Sequence, residues 1–387
     1  MRALVFERSL PRFAAARVAG RLAPGRGARV GPLSLDDVDP PDLPGPGWVR
    51  VRPRLAGICG SDLATIDAVS SRWFEPIVSF PFVPGHEVVG DLEDGGRVVI
   101  EPVLGCAARG VDPPCPACAA GRLGNCERIA HGHLRPGLQT GFCADTGGGW
   151  GRELVAHGSQ VHPVPDDLAD EAAVMVEPAA CAVHAALAVS EAAGVVVVLG
   201  AGTIGLCAVA ALRRFRPPAT LLAVAKHPEQ RALALDLGAD VVVAPGEVAR
   251  GVRRATGTLV VDGRLAGGAD AVVDCVGSAG SVADSLAVTR PRGRVVLAGM
   301  PGEVSVDLTP LWQREIELRG AYAYGTEQGG RRTFDLAFEL VRAARLGRLV
   351  SATYPLDRYE EALAHAAEAG RRGAVKIAFD LRRERNR

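Results

Sequence analysis

From Ala193 onward the hydrophobic positions fall into short apolar runs separated by stretches rich in alanine and leucine. The runs are Val195–Leu199, Leu221–Val224, Val241–Val243, Ala271–Cys275, Arg294–Ala298 and Ile316–Gly320. Helical stretches lie between most of them, notably Ile204–Arg213, Glu229–Leu237 and Ser281–Val288. Short valine-rich strands alternating with helices are buried on both faces, so this half predicts an α/β fold with a doubly wound parallel sheet. The region before about residue 150 has another texture. It reads as short strands and turns rich in Gly and Pro, such as Trp48–Pro53 and Gly96–Glu101, with no regular helix–strand alternation. After about Tyr324 one strong helix, Arg332–Ala344, and a closing strand, Val375–Asp380, remain. That last segment is too small to stand alone and is expected to return to the first region. No internal repeat is visible.

Composition narrows the function. The 387 residues carry 44 Lys+Arg against 44 Asp+Glu, and only Lys226 and Lys376 are lysines. The charges cancel and are scattered, which gives no electrostatic reason for a polyanion partner; nucleic-acid binding is disfavoured. The basic tail Arg382–Arg387 reads as a solvated end. Glu7 and Arg8 interrupt the place where a signal peptide has its apolar core, and no run approaches the roughly 20 residues of a membrane span. A cytoplasmic protein with no membrane partner is expected. In a reducing compartment, clustered thiols among the nine cysteines point to metal before disulfides.

Val195–Leu199 runs directly into Gly200, Ala201, Gly202, Thr203, Ile204 and Gly205, and then into a helix. A GxGxxG in this strand–turn–helix setting is a dinucleotide site: its glycines allow the tight turn, backbone approach to pyrophosphate, and close helix–strand packing. The pyrophosphate then meets free amides at the helix N-terminus. At the end of the second strand an NAD enzyme usually places an acid on the ribose 2′-hydroxyl. This chain has Ala225 there, followed by Lys226 and His227, with Arg231 nearby. A small residue beside cations accommodates a 2′-phosphate, which predicts a preference for NADP(H) over NAD(H); the alternative is a lysine turned to solvent.

Two groups of residues suit metal. Cys106, Cys115, Cys118 and Cys126 offer four thiolates, three of them closely spaced, for a closed tetrahedral structural zinc. The eight-residue gap after Cys106 weakens the pattern, and leaves open a buried free thiol there. The second group is dispersed: Cys59 within Gly57-Ile-Cys59-Gly-Ser61-Asp62, then His86-Glu87, then Glu177-Pro178. Each residue alone has a plain structural explanation, and Glu177-Pro178 is also a good helix start. Together they supply thiolate, imidazole and carboxylate, the donors of a catalytic zinc with one open position. Such a zinc makes a held alcohol easier to deprotonate and, in reverse, polarises a carbonyl, which suits hydride exchange with nicotinamide.

The order Cys-Gly-Ser-Asp, Gly-His-Glu, four-cysteine loop, Glu-Pro and GxGxxG resembles the zinc-dependent medium-chain alcohol dehydrogenase family, in the style of its sorbitol and threonine dehydrogenase branch. The resemblance covers essentially the whole chain. It implies a GroES-like β-rich catalytic domain, residues 1–180 and 325–387, enclosing a Rossmann domain of residues 181–324, with the active site in the cleft. It implies Cys59, His86 and Glu177 around the catalytic zinc, with Glu87 a ligand or a supporting carboxylate. Ser61 matches the hydroxyl that relays the substrate proton, while Cys275, Val276, Gly299 and Met300 line the nicotinamide. Two zinc ions per chain follow. Ala64 stands where many relatives carry the histidine that finishes the proton relay, so the proton's exit differs here.

The resemblance implies a small alcohol, aldehyde or ketone as substrate. Trp73-Phe74, Phe80 to Phe82, Trp150 and Leu311-Trp312 are candidates for a pocket lining, though such aromatics are more often core. A zinc-free NADPH quinone or enoyl reductase, or a non-catalytic nucleotide-binding protein, are the competing functions; the metal donors argue against both. A homodimer or homotetramer is expected, paired through the edge strand Ile316–Gly320.

Overall fold

The computed structural model describes residues 1–327 and 329–382; residues 383–387, most of the basic tail, lie outside them. Contacts divide the chain into two units, one of Met1–Glu177 with Tyr324–Arg387 and one of Pro178–Ala323.

The second unit is a six-stranded sheet. Its spatial order is 241–243, 220–224, 195–199, 269–274, 289–297, 317–320, and every neighbouring pair is parallel. In chain order that is 3-2-1-4-5-6, the doubly wound Rossmann arrangement. The valine runs form it because β-branched side chains suit a strand covered on both faces; Val196, Val197, Val198, Val272 and Val273 are all buried. Asp270 ties the middle strands together below the sheet. Its carboxylate accepts from the Gly194 and Val195 amides at 2.9 and 2.8 Å and from Arg290 Nε at 2.6 Å.

The first unit is built on a mainly antiparallel seven-stranded sheet ordered 350–354, 376–380, 48–57, 88–92, 97–100, 161–163, with 154–157 also pairing to 48–57. The closing strand Lys376–Asp380 pairs antiparallel with Trp48–Gly57 in the register Ala378↔Gly57 and Phe379↔Ala56. That pairing carries the chain's end back to its first region. The core under it is aromatic: Phe6, Phe82, Phe142, Trp150 and Phe379 are buried, and Trp150 packs edge-on against Phe379 at 5.1 Å.

A thirteen-residue helix, Leu10–Leu22, departs from the strand-and-turn expectation for the first region. It escapes a search for hydrophobic periodicity because it turns little into the core: Ala16 is its one buried residue, while Leu10, Val18 and Leu22 are exposed.

Candidate active site and metal centres

The candidate metal donors gather around the start of the helix Gly60–Ile66. Cys59 is its N-cap, and the Asp62 carboxylate accepts from the Cys59 amide at 2.9 Å. The other oxygen of Asp62 lies 3.4 Å from His86 Nδ1. One buried carboxylate thus holds the backbone of one candidate donor and stands beside the ring of another, where acids behind metal-binding histidines lie. The Cys59, His86 and Glu87 ligand atoms all lie within 4.8 Å of one another. Burial opposes a charge on His86, but Asp62 and Cys59 outweigh it and hold its pKa well above the ordinary value. Surroundings that favour a proton there also favour a metal cation.

Gly57 passes so close that a Cβ would stand 1.9 Å from Glu87 Oε2 and 2.8 Å from Lys376 Cε. Lys376, buried at the start of the closing strand, forms an ion pair with Glu87 and donates to the Ile58 carbonyl at 3.1 Å. Burial disfavours the ammonium, yet Glu87, Cys59 and Glu177 hold its pKa above the usual lysine value.

Glu177 lies in the first turn of the helix Val176–Leu187 and is buried. It does not join the Cys59–His86–Glu87 group; its Oε1 accepts from Tyr324 Oη at 3.0 Å. Burial, helped by the Glu87 charge, pushes its pKa up to about 7 against the pull of His86, Tyr324 and Lys376. Ser61 is half-buried in the same helix start as the donors. The Thr65 hydroxyl, next to Ala64, donates to the Ser61 carbonyl at 2.9 Å and lies 3.1 Å from Ser70 Oγ.

Asp62, Lys376 and Tyr324 were not singled out by sequence reasoning. Asp62 stood inside the quoted Cys-Gly-Ser-Asp motif, but only the register across the sheet brings Lys376 to Glu87. Among the pocket candidates, Trp150 is core: it is buried and donates to the Gly57 carbonyl at 3.2 Å. Trp73 and Trp312 are both exposed.

The four cysteines of the loop also converge. Cys106, Cys115, Cys118 and Cys126 place their sulfurs within 4.8 Å of one another despite the long first gap. Amides point at them, from Cys115 to Cys106 at 3.3 Å and from Arg128 to Cys126 at 3.4 Å. Burial works against ionising Cys115, but N–H groups of Cys118 and Glu127 bring its thiol down to about 6. Burial pushes Cys126 up to about 11 and Cys118 well above the ordinary thiol value. Four crowded sulfurs that cannot all ionise unaided are suited to a divalent cation that neutralises them. The gap itself holds Arg109, fully buried, whose guanidinium donates to carbonyls of Leu104, His131, Leu134, Arg135 and Gly137. It clasps the chain before the first cysteine to the chain after the last.

In the second unit the glycine turn joins Val195–Leu199 to the helix Thr203–Phe215, whose N-cap is Gly202. A Cβ on Gly205 would stand 1.8 Å from the Gly200 carbonyl, so helix and strand meet there only without a side chain. Ala225 is buried at the end of Thr220–Val224, its amide bonded to the Val243 carbonyl at 3.0 Å. Lys226 next to it is exposed, while His227 and Arg231 are half-buried at the start of the following helix. Asp274 organises the next strand end, accepting from the Val276 and Gly277 amides at 2.8 and 3.0 Å. The Gly299 amide donates to the Asp274 carbonyl at 2.8 Å. Cys275 follows Asp274, and burial raises its thiol pKa; Val276 and Met300 are exposed beside it. All these residues sit at carboxyl ends of parallel strands, where open α/β sheets bind ligands.

A GroES-like unit carrying thiolate, imidazole and carboxylate donors, with a Rossmann unit carrying a dinucleotide turn, defines a zinc-binding, nicotinamide-dependent oxidoreductase. Comparison with known proteins agrees. Residues 45–166 match the alcohol dehydrogenase GroES-like domain and residues 203–343 the zinc-binding dehydrogenase family. An L-threonine 3-dehydrogenase of Streptomyces avermitilis is 30% identical over 366 residues, covering 90% of this chain and 96% of that protein. An L-idonate 5-dehydrogenase of Vitis vinifera is 29% identical over 355 residues, 87% of this chain and 89% of that one. A Sinorhizobium meliloti 1021 protein assigned as a zinc-binding dehydrogenase and solved bound to NADP superposes with a TM-score of 0.70 at 26% identity, over 90% of this chain and 96% of that one. The chain belongs to the zinc-dependent medium-chain alcohol dehydrogenase family, within its sorbitol and threonine dehydrogenase-like branch. It is an alcohol or polyol oxidoreductase working with zinc and a nicotinamide cofactor.

Proposed function

We propose that the enzyme prefers NADP(H), holds two zinc ions per chain, and interconverts a small alcohol or polyol with its carbonyl partner. The cofactor preference is carried by one observation: a buried Ala225 and an exposed Lys226 occupy the strand end where an acid would select NAD. The adenine-side 2′-phosphate then meets no carboxylate at position 225, and has Lys226, with His227 and Arg231, to receive it. The NADP-bound S. meliloti relative supports the same preference.

Cys59 and His86 hold the catalytic zinc with a carboxylate from Glu87 or Glu177, and Cys106, Cys115, Cys118 and Cys126 hold the second. Bound zinc supplies Lewis acidity, easing loss of the alcohol proton and polarising the carbonyl in reverse. Around it, the Asp62 carboxylate lies 3.4 Å from His86 Nδ1, placed to orient the ring. Lys376 pairs with the Glu87 carboxylate, and the Tyr324 hydroxyl donates to Glu177. Ser61 would take the substrate proton, and because Ala64 offers no further group the proton would leave by water, by the cofactor ribose or by another side chain. Cys275, Val276, Gly299 and Met300 face the nicotinamide. The relatives named for L-threonine and L-idonate direct the substrate search toward small, polar hydroxyl compounds. Pairing of a second copy along the edge strand Glu317–Gly320, whose four residues are exposed, supports a homo-oligomer.

A screen of aldehydes, ketones and sugars with NADPH identifies the substrate, and kinetics with both cofactors then test the preference. We expect kcat/KM at least about tenfold higher with NADPH, and Ala225→Asp combined with Lys226→Ala to reverse that order. Equal or better efficiency with NADH in the unaltered enzyme would refute the preference.

A further inference from the structure

The strands Arg2–Phe6 and Leu33–Asp37 form a regular antiparallel pair that closes at Phe6↔Leu33. A hairpin of that kind needs only two to five residues to turn, yet residues 7–32 intervene. The fold does not require this excursion, and it is nonetheless ordered. It forms the helix Leu10–Leu22 and a short helical turn Gly27–Val30, pinned where the buried Asp67 carboxylate accepts from the Gly25 and Gly27 amides at 2.7 and 2.9 Å.

Its outward face is unusual. Leu10, Val18 and Leu22 are 76%, 62% and 76% exposed, and spacings of four align them with Ala14 along one side of the helix. The Arg8–Glu75 ion pair, at 3.1 Å, ties the helix start to the turn Arg72–Ile77, which presents Trp73 at 80% exposure. Between Glu7 and Asp36 there is no acidic residue but six arginines, Arg8, Arg12, Arg17, Arg21, Arg26 and Arg29. Arg8 and Arg29 pair with Glu75 and Glu360. Among the described residues Arg12, Arg17, Arg21 and Arg26 have no carboxylate partner. At 100° per residue, Arg17 borders the apolar stripe beside Leu10, Arg21 lies within it between Leu10 and Ala14, and Arg12 lies beyond Leu22 on the other side. A chain with no net charge has concentrated unpaired cations around exposed aliphatic side chains and a tryptophan.

We infer that this appendage is a docking surface for an anionic lipid bilayer. Aliphatic side chains enter the boundary between headgroups and acyl chains, arginines meet lipid phosphates, and tryptophan prefers that interface. A second copy fits the face poorly, because it would set like charges against one another. An acidic polypeptide would satisfy the arginines but not the exposed stripe between them. The helix is short, so the docking is shallow and reversible; no helix among the described residues is long and apolar enough to cross a membrane.

The test is co-sedimentation of the full-length enzyme with vesicles of phosphatidylcholine alone and of phosphatidylcholine with about a third phosphatidylserine. We expect binding to the anionic vesicles only, with release near 0.5 M salt, where screening is short-ranged. Arg12→Gln, Arg17→Gln, Arg21→Gln and Arg26→Gln together should weaken partitioning on the order of a hundredfold. Leu10→Ser, Val18→Ser and Leu22→Ser together should weaken it at least about tenfold. Both variants should keep the unaltered circular dichroism and the turnover of a water-soluble substrate, since none of these residues belongs to the metal or cofactor sites. Failure of the unaltered enzyme to bind anionic vesicles overturns the inference, as does equal binding by the arginine variant. A dimer that the Leu10, Val18 and Leu22 changes convert to monomer would instead make this face an interface between copies. Poly-glutamate binding that displaces the vesicles and ignores those three changes would make it a protein site.

Discussion

Lys376 is one of two lysines in the chain, and it is buried with its ammonium between the Glu87 carboxylate and the Ile58 carbonyl. A buried cation persists only where its charge and donors are met, and removing one partner of such a pair is far costlier than replacing both. Lys376→Met should therefore destabilise the enzyme by about 3–5 kcal/mol in denaturant unfolding, while Lys376→Met with Glu87→Met should cost less. Equal losses would mean the pair is not coupled. From the sequence, Lys376 was legible only as part of a closing strand. Its partner is remote in the chain and is met through the pairing of Ala378 with Gly57. The donors Cys59 and His86 were legible because thiol and imidazole carry their chemistry in any context, whereas a lysine acquires its role from where the fold buries it. Lys226 is the opposite case, exposed and readable from its place after a strand.

At the scale of elements, the cysteine loop shows two fastenings. One is the sulfur cluster, and the other is Arg109, whose five carbonyl partners span both ends of the loop. Cys115→Ser should lower zinc content by one ion per chain and destabilise the first unit by several kcal/mol, measured by metal analysis and thermal unfolding. Unchanged metal content would remove the second zinc from the account. The cysteine spacing foretold the cluster, but the gap after Cys106 looked like a weakness in the pattern and holds the clasp instead. Every Rossmann strand was legible, Val195–Leu199 and Val241–Val243 to the residue because they carry their own apolar signal, but Arg294–Ala298 caught only the end of Thr289–Leu297, whose first half is polar. The helix Leu10–Leu22 was not, because its large apolar residues face outward and leave no core-facing period to detect.

Over the whole chain, the closure of the first unit depends on charge as well as on strand pairing. The buried Asp170 carboxylate gathers Arg54 at 2.8 Å, Arg97 at 3.1 Å and Arg382 at 3.2 Å, from three distant segments. Burial alone would raise its pKa, but Arg54, Arg97 and Arg382 hold it below the usual carboxylate value. The folded value is thus lower than the unfolded one. The stabilisation is complete above the unfolded pKa, about 4, and is lost as pH falls through the folded value. Asp170→Asn should cost about 3 kcal/mol at pH 7 and flatten the acid limb of stability against pH; an unchanged limb would assign acid sensitivity elsewhere. The family was legible from motif order, while this long-range closure was not, because arginines are everywhere in the sequence and only the fold selects three. The central claim is that Cys59, with His86 and a carboxylate, holds the zinc on which hydride transfer depends. It is tested most directly by assaying Cys59→Ala for metal content, NADPH binding and turnover together. The account predicts one zinc fewer per chain, cofactor binding intact and turnover abolished; a fully active Cys59→Ala enzyme would contradict it.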